Sequence, residues 1–363
     1  MKVGIVGGSL CRGGTERVMV NLIDYLVDNG DEVSLVTLET VDNEYPLNPK
    51  VTRHNYILSE DETTSSRLRN LKLRIEKLRH VWKEFKPDVI LSFIGRNNFM
   101  AIASSRGLRI PVAVAVRALP ELEYPGKVSA LLAKTYMRLA DQLILQTKEQ
   151  GNFFPKSMID KSVILKNPVN PEFLREPYAG DRDKVIVSVG RIDENKNHRL
   201  IIEAFAPIAA DFPDWELCIY GEGELRQELI AYVDSLGLED RIHLPGRCEN
   251  IPDAIMKAGV FVLSSDTEGS PNALIEAMCL GIPVISTDCP CGGPRELIEH
   301  EKNGLLIPVG DRVKMQENLQ KMLSDFQIRK TISDNSLPTR DIYQPDKILG
   351  EWRDDLLKLS KIN

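Results

Sequence analysis

The stretch Ser264–Thr287 reads SSDTEGSPNALIEAMCLGIPVIST and predicts a loop, a helix and a strand in succession. Ser270 is a suitable N-cap, Pro271 is pre-organised for the first helical position, and Gly281 suits the position just past a helix end. We therefore predict a helix over residues 271–280. The preceding run VFVLSS and the following run PVIST are apolar and β-branched, which is typical of buried parallel strands.

Two glutamates in this stretch are separated by seven residues. Glu268 falls in the loop beyond the carboxyl end of a strand, where open α/β sheets bind ligands, and Glu276 falls inside the helix. The free amides of Asn272, Ala273 and Leu274 at the helix N-terminus predict an anion site. We expect an anion there, with carboxylates beside it.

The rest of the chain repeats this alternation of strands and helices. Runs such as VGIVGG, EVSLVTL, DVILSFI, PVAVAV and DQLILQ precede a polar, proline-containing stretch, and a second alternation follows it. We predict an α/β fold with two Rossmann-like doubly wound parallel sheets facing each other across a cleft. The predicted domains are residues 1–166 and 167–343, followed by an amphipathic tail over 344–363 that docks on the fold.

Charge is unevenly distributed along the 363 residues. Residues 1–166 carry 24 Lys and Arg against 19 Asp and Glu, whereas the remainder carries 22 against 34. Much of the basic excess lies in a helical pattern over 67–86, RLRNLKLRIEKLRHVWKEFK, whose apolar residues recur at helical spacing. Such a helix can lie on anionic lipid, or it can be an ordinary surface helix packed on the sheet.

Several function classes are disfavoured by what the sequence lacks. The six cysteines are unpatterned, and the Asp181 and Asp183 carboxylates lie in the predicted linker, so we predict no metal site. We interpret His243 as a core residue of a strand and His198 as a capping or exposed residue. The chain opens on an apolar strand without a signal-peptide pattern, and no run reaches the ~18 apolar residues of a membrane span. We expect a cytoplasmic protein with reduced thiols.

Two further loops carry ligand-binding signals. The first strand ends in GGSLCRGGTERV, a flexible glycine-rich loop before a helix predicted to start near Thr15, although the glycines could simply permit the turn. It lacks both the dinucleotide spacing G-x-G-x-x-G and the lysine of a P-loop. In VGRIDENKNH, Arg191 and Lys196 follow a strand at the same predicted edge as Glu268, where two cations could hold a diphosphate.

The phrase EGSPNALIEAMCLGIPVIST resembles the E-x7-E signature of family 4 retaining glycosyltransferases, which have the GT-B fold. The segments GGTERV, VGRIDENKN, YGEGELR, LPGRCENIPD and NGLLIPVGD follow in the order that this resemblance implies, over nearly the whole chain. The resemblance implies a retaining transferase that uses a nucleotide sugar, with UDP-hexose and UDP-N-acetylhexosamine as leading candidates, and that needs no metal cofactor.

The resemblance also implies roles for individual residues. Arg191 and Lys196 match the basic pair that grips the donor diphosphate and stabilises it as it leaves. Glu268 matches the glutamate that approaches the transferred sugar, and Glu276 the one that hydrogen-bonds the donor ribose hydroxyls.

The remaining predicted donor contacts are backbone positions: Gly14 approaching the diphosphate from the first domain, Cys248 at the nucleobase, and Gly269, Asn272, Ala273 and Leu274 forming the phosphate cradle. Many relatives have a histidine after the strand matching PVAVAV, where this chain has Arg117. We interpret Arg117 as an acceptor or sugar contact, although it could instead close the cleft by a salt bridge. The tail is expected to cross back to the first domain.

The expected acceptor is a lipid-diphosphate-linked saccharide, bound by the basic first domain at the inner face of the plasma membrane during surface-polysaccharide assembly. No nucleic-acid partner is expected. Two alternatives stay open: a non-catalytic partner that binds a nucleotide sugar for another transferase, and a two-domain dehydrogenase or epimerase. The missing G-x-G-x-x-G argues against a dehydrogenase, whereas Glu39 near the end of the second strand prevents a complete exclusion.

Overall fold

The computed structural model describes residues 1–361, which form two compact units. The first unit is Met1–Pro168 together with the segment that begins at Asp346, and the second is Val169–Pro345. Each is described by itself below.

The first unit is built on a seven-stranded parallel sheet in the order β3-β2-β1-β4-β5-β6-β7. The central strands are buried on both faces, as their continuous apolar sequences predict. The strands are β1 Lys2–Gly7, β2 Glu32–Thr37, β3 Thr52–Asn55, β4 Val89–Phe93, β5 Val112–Ala115, β6 Gln142–Leu145 and β7 Ser162–Ile164.

Helices cover both faces of this sheet. Residues of α1 pack into one core, and residues of α2, α3 and α5 pack into the core on the opposite face. The helices are α1 Gly14–Asp28, α2 Arg67–Phe85, α3 Gly95–Ser105, α4 Pro120–Glu123, α5 Gly126–Thr135 and α6 Lys156–Ile159, with 3-10 turns at Tyr136–Leu139 and Glu149–Phe153.

The helix predicted over 67–86 is α2, whose N-cap is Ser66. Leu78 and Trp82 are fully buried against the sheet, whereas Leu68 and Leu71 at the start of the helix are exposed. Most of the apolar stripe is therefore used for packing on the sheet.

The second unit has a six-stranded parallel sheet in the order β10-β9-β8-β11-β12-β13. Its strands are β8 Asp183–Val189, β9 Glu216–Tyr220, β10 Ile242–Gly246, β11 Ala258–Leu263, β12 Val284–Thr287 and β13 Leu305–Ile307. Its helices are α7 His198–Phe205, α8 Arg226–Ser235, α9 Ile251–Ile255, α10 Asn272–Cys279, α11 Gly293–Leu297, α12 Arg312–Ser324, α13 Phe326–Ser336 and α14 Thr339–Ile342, with 3-10 turns at Pro171–Phe173 and Ala206–Ile208.

The strand order of the second unit reverses between β8 and β11, which are hydrogen-bonded neighbours although they are not consecutive in the chain. At such a topological switch point the loops after the two strands diverge to opposite faces and leave a crevice at the carboxyl edge. The loops that follow β8 and β11 are the ones for which the sequence predicts anion binding.

The last helix, α15 Pro345–Leu359, packs on the first unit. Trp352 is fully buried, stacks on Phe93 with ring centroids 5.9 Å apart, and donates from Nε1 to the Lys166 carbonyl at 2.9 Å. Arg353 Nε pairs with Asp31 at 2.6 Å. The amphipathic tail therefore docks through a buried tryptophan and through an ion pair to the buried Asp31 carboxylate.

The predicted fold class is confirmed: both units are Rossmann-like α/β layers around parallel sheets. Throughout residues 1–361, every helix is too short or too polar to pass through a bilayer.

Candidate functional site

The loops after β8 and β11 bring together Lys196 and Glu268, which are 72 residues apart in sequence. Lys196 Nζ lies 2.5 Å from Glu268 Oε1, and Ser265 Oγ donates to the same oxygen at 2.6 Å. The two ion-paired side chains are only 22% and 12% exposed. The sequence placed both residues at one sheet edge, and the structure places their charged atoms in direct contact.

The two loops are held to each other by a series of polar contacts. Asn195 Nδ2 donates to the Thr267 carbonyl at 3.1 Å, and Thr267 Oγ1 donates back to Asn195 Oδ1 at 2.6 Å. Asn197 Nδ2 donates to Asp266 Oδ1 at 3.0 Å, and the Asp266 amide donates to the Asn195 carbonyl at 2.8 Å. These four hydrogen bonds fix the backbone that carries Lys196 and Glu268, so the geometry of the pair is set before a ligand binds.

Asp193 positions both predicted phosphate-binding cations. Its Oδ1 accepts from the Lys196 amide at 3.0 Å, and its Oδ2 accepts from Arg191 Nε at 2.5 Å. The Arg191 side chain is three-quarters exposed, whereas Lys196 is largely covered. No role was predicted for Asp193 from the sequence. An aspartate three residues before a predicted ligand-binding lysine does indicate a turn in which the aspartate accepts from the backbone and orients the lysine.

The helix after this loop begins later than predicted. It is α10, Asn272–Cys279, and Pro271 occupies the N-cap in an extended conformation without a side-chain cap. The predicted span 271–280, with Ser270 as N-cap, is therefore wrong by one residue at each end. Gly281 follows the helix with φ +66°, the left-handed conformation expected just past a helix end.

The expectation that the amide of Leu274 is free is also wrong. It donates to the Pro271 carbonyl at 3.1 Å, because the first turn closes on Pro271. Asn272 and Ala273 lie at the N-terminus of the helix, where amides point out of the first turn. Glu276 lies farther along α10 and is buried.

Gly269 is buried against the next loop of the sheet edge. A Cβ built on Gly293, the first residue of α11, would lie 1.9 Å from the Gly269 carbonyl oxygen. The amide of Glu268 donates to the Pro290 carbonyl at 2.8 Å. The loop that carries Glu268 is thus clamped from both sides by its neighbours in the second unit.

The predicted burial of His198 and of His243 is wrong in both cases. His198, predicted to be capping or exposed, is 3% exposed at the first position of α7. Burial and the nearby Lys196 charge lower the pKa of His198 from 6.5 to about 4, so its ring is neutral at physiological pH. His243, predicted to be a core residue, lies on the edge strand β10 with its ring half exposed, 3.2 Å from Glu216.

Cys248 lies in the loop after β10, at the same carboxyl edge as the β8 and β11 loops. It is half-buried, and it follows the point where Gly246 pairs with Tyr220 of the neighbouring strand β9. A Cβ on Gly246 would lie 2.4 Å from a carboxylate oxygen of Glu222, and Gly246 has φ +88°. The positive φ favours glycine at this last position of β10, and a side chain there would also have to displace the Glu222 carboxylate. The nucleobase contact assigned to Cys248 stays a prediction.

In the first unit, Gly14 is the exposed first residue of α1, one residue earlier than the predicted start near Thr15. Gly13 precedes it as the N-cap. A Cβ on Gly13 would lie 2.3 Å from a carboxylate oxygen of Glu16, so a side chain there would displace Glu16.

Arg117 follows β5, but its side chain is turned into the first unit and is only 7% exposed. The guanidinium carbon lies 5.7 Å from the ring centroids of both Phe93 and Trp352, and one terminal nitrogen donates to Asn167. Burial lowers the pKa of Arg117 to about 10, and the charge of Glu123 opposes that shift. Its predicted role as an acceptor contact stays a prediction.

Among residues 1–361, no three His, Cys, Asp or Glu side chains are grouped to hold a metal ion. Asp183 begins β8, and it therefore lies at the amino edge of the sheet, away from Glu268. The expectation of metal-free chemistry stays a prediction.

Comparisons with known proteins agree with the geometry. A family model described as Glycosyltransferase Family 4 matches residues 12–173, and one described as Glycosyl transferases group 1 matches residues 170–337. Together they span most of both units.

Two curated relatives match along nearly their whole length. The chain is 26% identical, over 97% of both chains, to the Campylobacter jejuni GalNAc-alpha-(1->4)-GalNAc-alpha-(1->3)-diNAcBac-PP-undecaprenol alpha-1,4-N-acetyl-D-galactosaminyltransferase. It is 25% identical to the amylovoran biosynthesis glycosyltransferase AmsD of Erwinia amylovora, over 97% of this chain and 98% of the relative. Among solved structures, Anabaena HepE in complex with UDP superposes with a TM-score of 0.82 at 19% identity, covering 99% of this chain and 100% of HepE.

Proposed function

Because this chain belongs to the glycosyltransferases that combine a Family 4 domain with a group 1 domain, we propose that it transfers a sugar from a nucleotide sugar to a saccharide acceptor. One observation carries the proposal: a preorganised lysine–glutamate pair, Lys196 and Glu268, lies at the switch point between β8 and β11. In open α/β sheets this is where ligands bind. In this proposal, Lys196 is the cation for the donor phosphate and Glu268 is the carboxylate beside the sugar, and the two lie next to each other.

The proposed donor is a UDP-hexose or UDP-N-acetylhexosamine. Two observations support this donor class: curated relatives are N-acetylgalactosaminyltransferases, and Anabaena HepE forms complexes with UDP and with UDP-glucose. In the proposed binding mode, the backbone near Cys248 meets the base and the Glu276 carboxylate accepts from the ribose hydroxyls.

The proposed chemistry is breakage of the bond between the anomeric carbon and the diphosphate oxygen. Negative charge grows on the leaving diphosphate, and Arg191, Lys196 and the first amides of α10 are the groups available to stabilise it. These groups are fixed before the reaction by Asp193 and by the contacts between the two loops, so little reorganisation is needed. This is the electrostatic preorganisation that usually contributes most to such steps.

We propose that the new bond forms on the same face from which the diphosphate departs, with retention of configuration. The acceptor oxygen attacks the anomeric carbon while its proton passes to the departing phosphate, so no carboxylate nucleophile is needed. Glu268 then acts beside the sugar as a fixed negative charge, because Lys196 and Ser265 hold its carboxylate. In this scheme the protein's own cations do the work, without a metal.

The proposed acceptor is a saccharide linked to a lipid diphosphate, in the assembly of a surface glycan. Curated relatives act, by name, on diphospho-undecaprenol-linked saccharides. Residues 1–166, which form most of the first unit, carry an excess of five positive charges, as expected for a surface that approaches a diphosphate or an anionic leaflet. Peripheral association with the inner face of the plasma membrane follows from this proposal.

The donor half of the proposal is tested with a panel of UDP- and GDP-sugars in the presence of EDTA. Nucleoside diphosphate release and protection against thermal unfolding are measured for the wild type, Lys196→Ala and the matched control Lys184→Ala. Lys184 pairs with Asp214 at 2.7 Å in the same unit but is exposed and remote from the switch point. We expect one UDP-sugar to bind and be slowly hydrolysed, with both effects lost only in Lys196→Ala. Binding of a nicotinamide dinucleotide alone would overturn the transferase assignment.

Turnover is tested with a synthetic polyprenyl-diphosphate disaccharide as acceptor. We expect acceptor-dependent diphosphate release and a product whose anomeric configuration, read by NMR, equals that of the donor. Donor binding without any transfer to saccharide acceptors would favour a non-catalytic nucleotide-sugar-binding partner instead.

A further inference from the structure

The first unit exposes a row of large apolar side chains on α5 and the 3-10 turn that continues it. Val128 and Leu131 are 74% and 62% exposed, and Leu132 and Leu139 are each nearly half exposed. At roughly 100° per residue, Val128, Leu131 and Leu132 share one face of α5, and Leu139 follows in the 3-10 turn. The opposite face holds Ala133 and is buried in the core. The helix is therefore anchored on one side and presents an unpartnered apolar stripe on the other.

A row of cations runs along one flank of this stripe. Lys127 and Lys134 are seven residues apart, which places them on one line down α5, and Arg138 follows in the 3-10 turn. All three are exposed, and Lys134 Nζ lies 4.3 Å from the Phe153 ring centroid. The sequence from 126 to 139 contains no Asp or Glu. The stripe thus has a positive border without compensating acids on the same helix.

The other basic helix, α2, has a shorter exposed apolar row, which consists of Leu68 and Leu71 at its start. Leu78 and Trp82 of α2 are buried in the core, and Lys77 Nζ forms an ion pair with Glu62 at 2.5 Å. Arg79 donates to the backbone carbonyl of Ser104 at 3.0 Å. The exposed apolar residues of the second unit are separated along the chain and do not form a comparable row on one helix.

We propose that the exposed surface of α5 and of the 3-10 turn after it, defined by Val128, Leu131, Leu132 and Leu139 with the cations beside them, docks on an anionic lipid bilayer. An apolar stripe bordered by Lys and Arg is the signature of helices that lie in the interface plane, with leucines below the headgroups and cations among them. The charge complementarity selects an anionic leaflet over a neutral one. This inference rests on the proposed lipid-linked acceptor, which would place the enzyme at a membrane surface, and it names the element that makes the contact.

The charge part of the proposal is tested by vesicle flotation with the full-length protein. Vesicles contain roughly three parts phosphatidylcholine to one part phosphatidylglycerol, and pure phosphatidylcholine serves as the comparison. Each Lys or Arg near such a surface contributes about fivefold to partitioning, so Lys127→Gln with Arg138→Gln should weaken binding about thirtyfold. The matched control is Arg67→Gln with Arg69→Gln, which removes two exposed cations from α2 and should change binding far less.

The apolar part is tested with Val128→Ser combined with Leu131→Ser. Each lost side chain should weaken partitioning about tenfold or more, since the burial of a large aliphatic side chain is removed. Val313→Ser with Phe326→Ser is the control, because these side chains are similarly exposed but belong to the second unit. Amide exchange over residues 126–139 should slow when anionic vesicles are added.

Three results would overturn the proposal. One is a wild type that does not float with anionic vesicles, and another is a set of α5 variants that float as well as the wild type. The third is loss of a dimer in the α5 variants, measured by light scattering, with flotation unchanged, because the face would then cover a second copy. Donor hydrolysis in solution is measured on the same samples. A protein that hydrolyses no nucleotide sugar but still floats through α5 would refute the proposed function and leave the docking surface standing.

Discussion

Replacing Lys196 by Ala is the most direct test of the site at the switch point, because one substitution touches both stability and catalysis. The Nζ–Oε1 distance of 2.5 Å corresponds to a gross attraction of about 7 kcal/mol at an effective dielectric constant of about 20. Most of that attraction is offset by the cost of removing both charges from water. Breaking a fully buried pair costs about 3–5 kcal/mol, and this pair retains some exposure, so we expect the free energy of unfolding to fall by about 1–3 kcal/mol.

The catalytic loss should be larger than the stability loss. If Lys196 stabilises the leaving diphosphate, its removal should resemble the loss of one oxyanion donor, about 2.7–4 kcal/mol or a factor of about 10²–10³ in rate. The assays are urea unfolding followed by tryptophan fluorescence, and initial rates of nucleoside diphosphate release with acceptor present. The exposed pair of Lys184 and Asp214 provides the control, because Lys184→Ala should change the free energy of unfolding by less than about 1 kcal/mol.

A second substitution separates the two effects. Adding Glu268→Gln to Lys196→Ala removes the carboxylate that would otherwise lie buried without its cation, so part of the lost stability should return. The rate should not return, since the cation for the diphosphate is still missing. Less than a tenfold loss of rate in Lys196→Ala, or full recovery of rate in the double variant, would refute the reasoning.

Three further expectations concern other parts of the structure. The pKa of His198 is lowered from 6.5 to about 4, so the stability that its neutral ring contributes is complete above pH 6.5 and is lost as the pH falls to about 4. His198→Gln should therefore reduce the pH dependence of the free energy of urea unfolding in that window by up to about 3 kcal/mol. An unchanged pH dependence would contradict this. Arg117→Met removes a buried guanidinium that contacts two aromatic rings and should leave the free energy of unfolding within about 1 kcal/mol of the wild type. The KM for the acceptor should rise if Arg117 contacts the acceptor. An unchanged KM would mean that Arg117 has only a structural role. Trp352→Ala removes a fully buried ring stacked on Phe93 and should cost about 3–5 kcal/mol in urea unfolding; a cost below about 1 kcal/mol would mean that α15 does not stabilise the first unit.

The sequence was sufficient to predict the two parallel sheets, because strands that are buried on both faces have continuous apolar sequences. The runs around β8 and β11 predicted strands, and the loop after each carried the polar residues that a carboxyl edge displays. Lys196 and Glu268 could therefore be assigned to one edge. Their direct contact could not be predicted, since it depends on β8 and β11 being neighbours in the sheet, and strand order is not encoded in local patterns.

The errors have local physical causes. Pro271 was assigned to the first helical position by its fixed φ, but its ψ of 91° is extended and makes it the N-cap instead. His198 and His243 were misplaced because burial depends on which neighbours pack over a side chain. An edge strand leaves one flank uncovered, and the sequence of β10 did not reveal that it is an edge.

The Lys196–Glu268 pair explains how a site can hold a lysine ready for phosphate without paying a large stability cost. A buried ammonium without a partner would lose its proton or destabilise the fold, and a buried carboxylate alone would do the same. Each instead neutralises the other, while Ser265 occupies part of the hydrogen-bonding capacity of the carboxylate. A donor diphosphate would offer Lys196 a second anion at the same position, while Ser265 keeps the Glu268 carboxylate in place as a fixed negative charge beside the sugar. In the proposed mechanism, stability and catalysis depend on the same two side chains, which is why Glu268→Gln should restore part of the stability lost in Lys196→Ala and none of its rate.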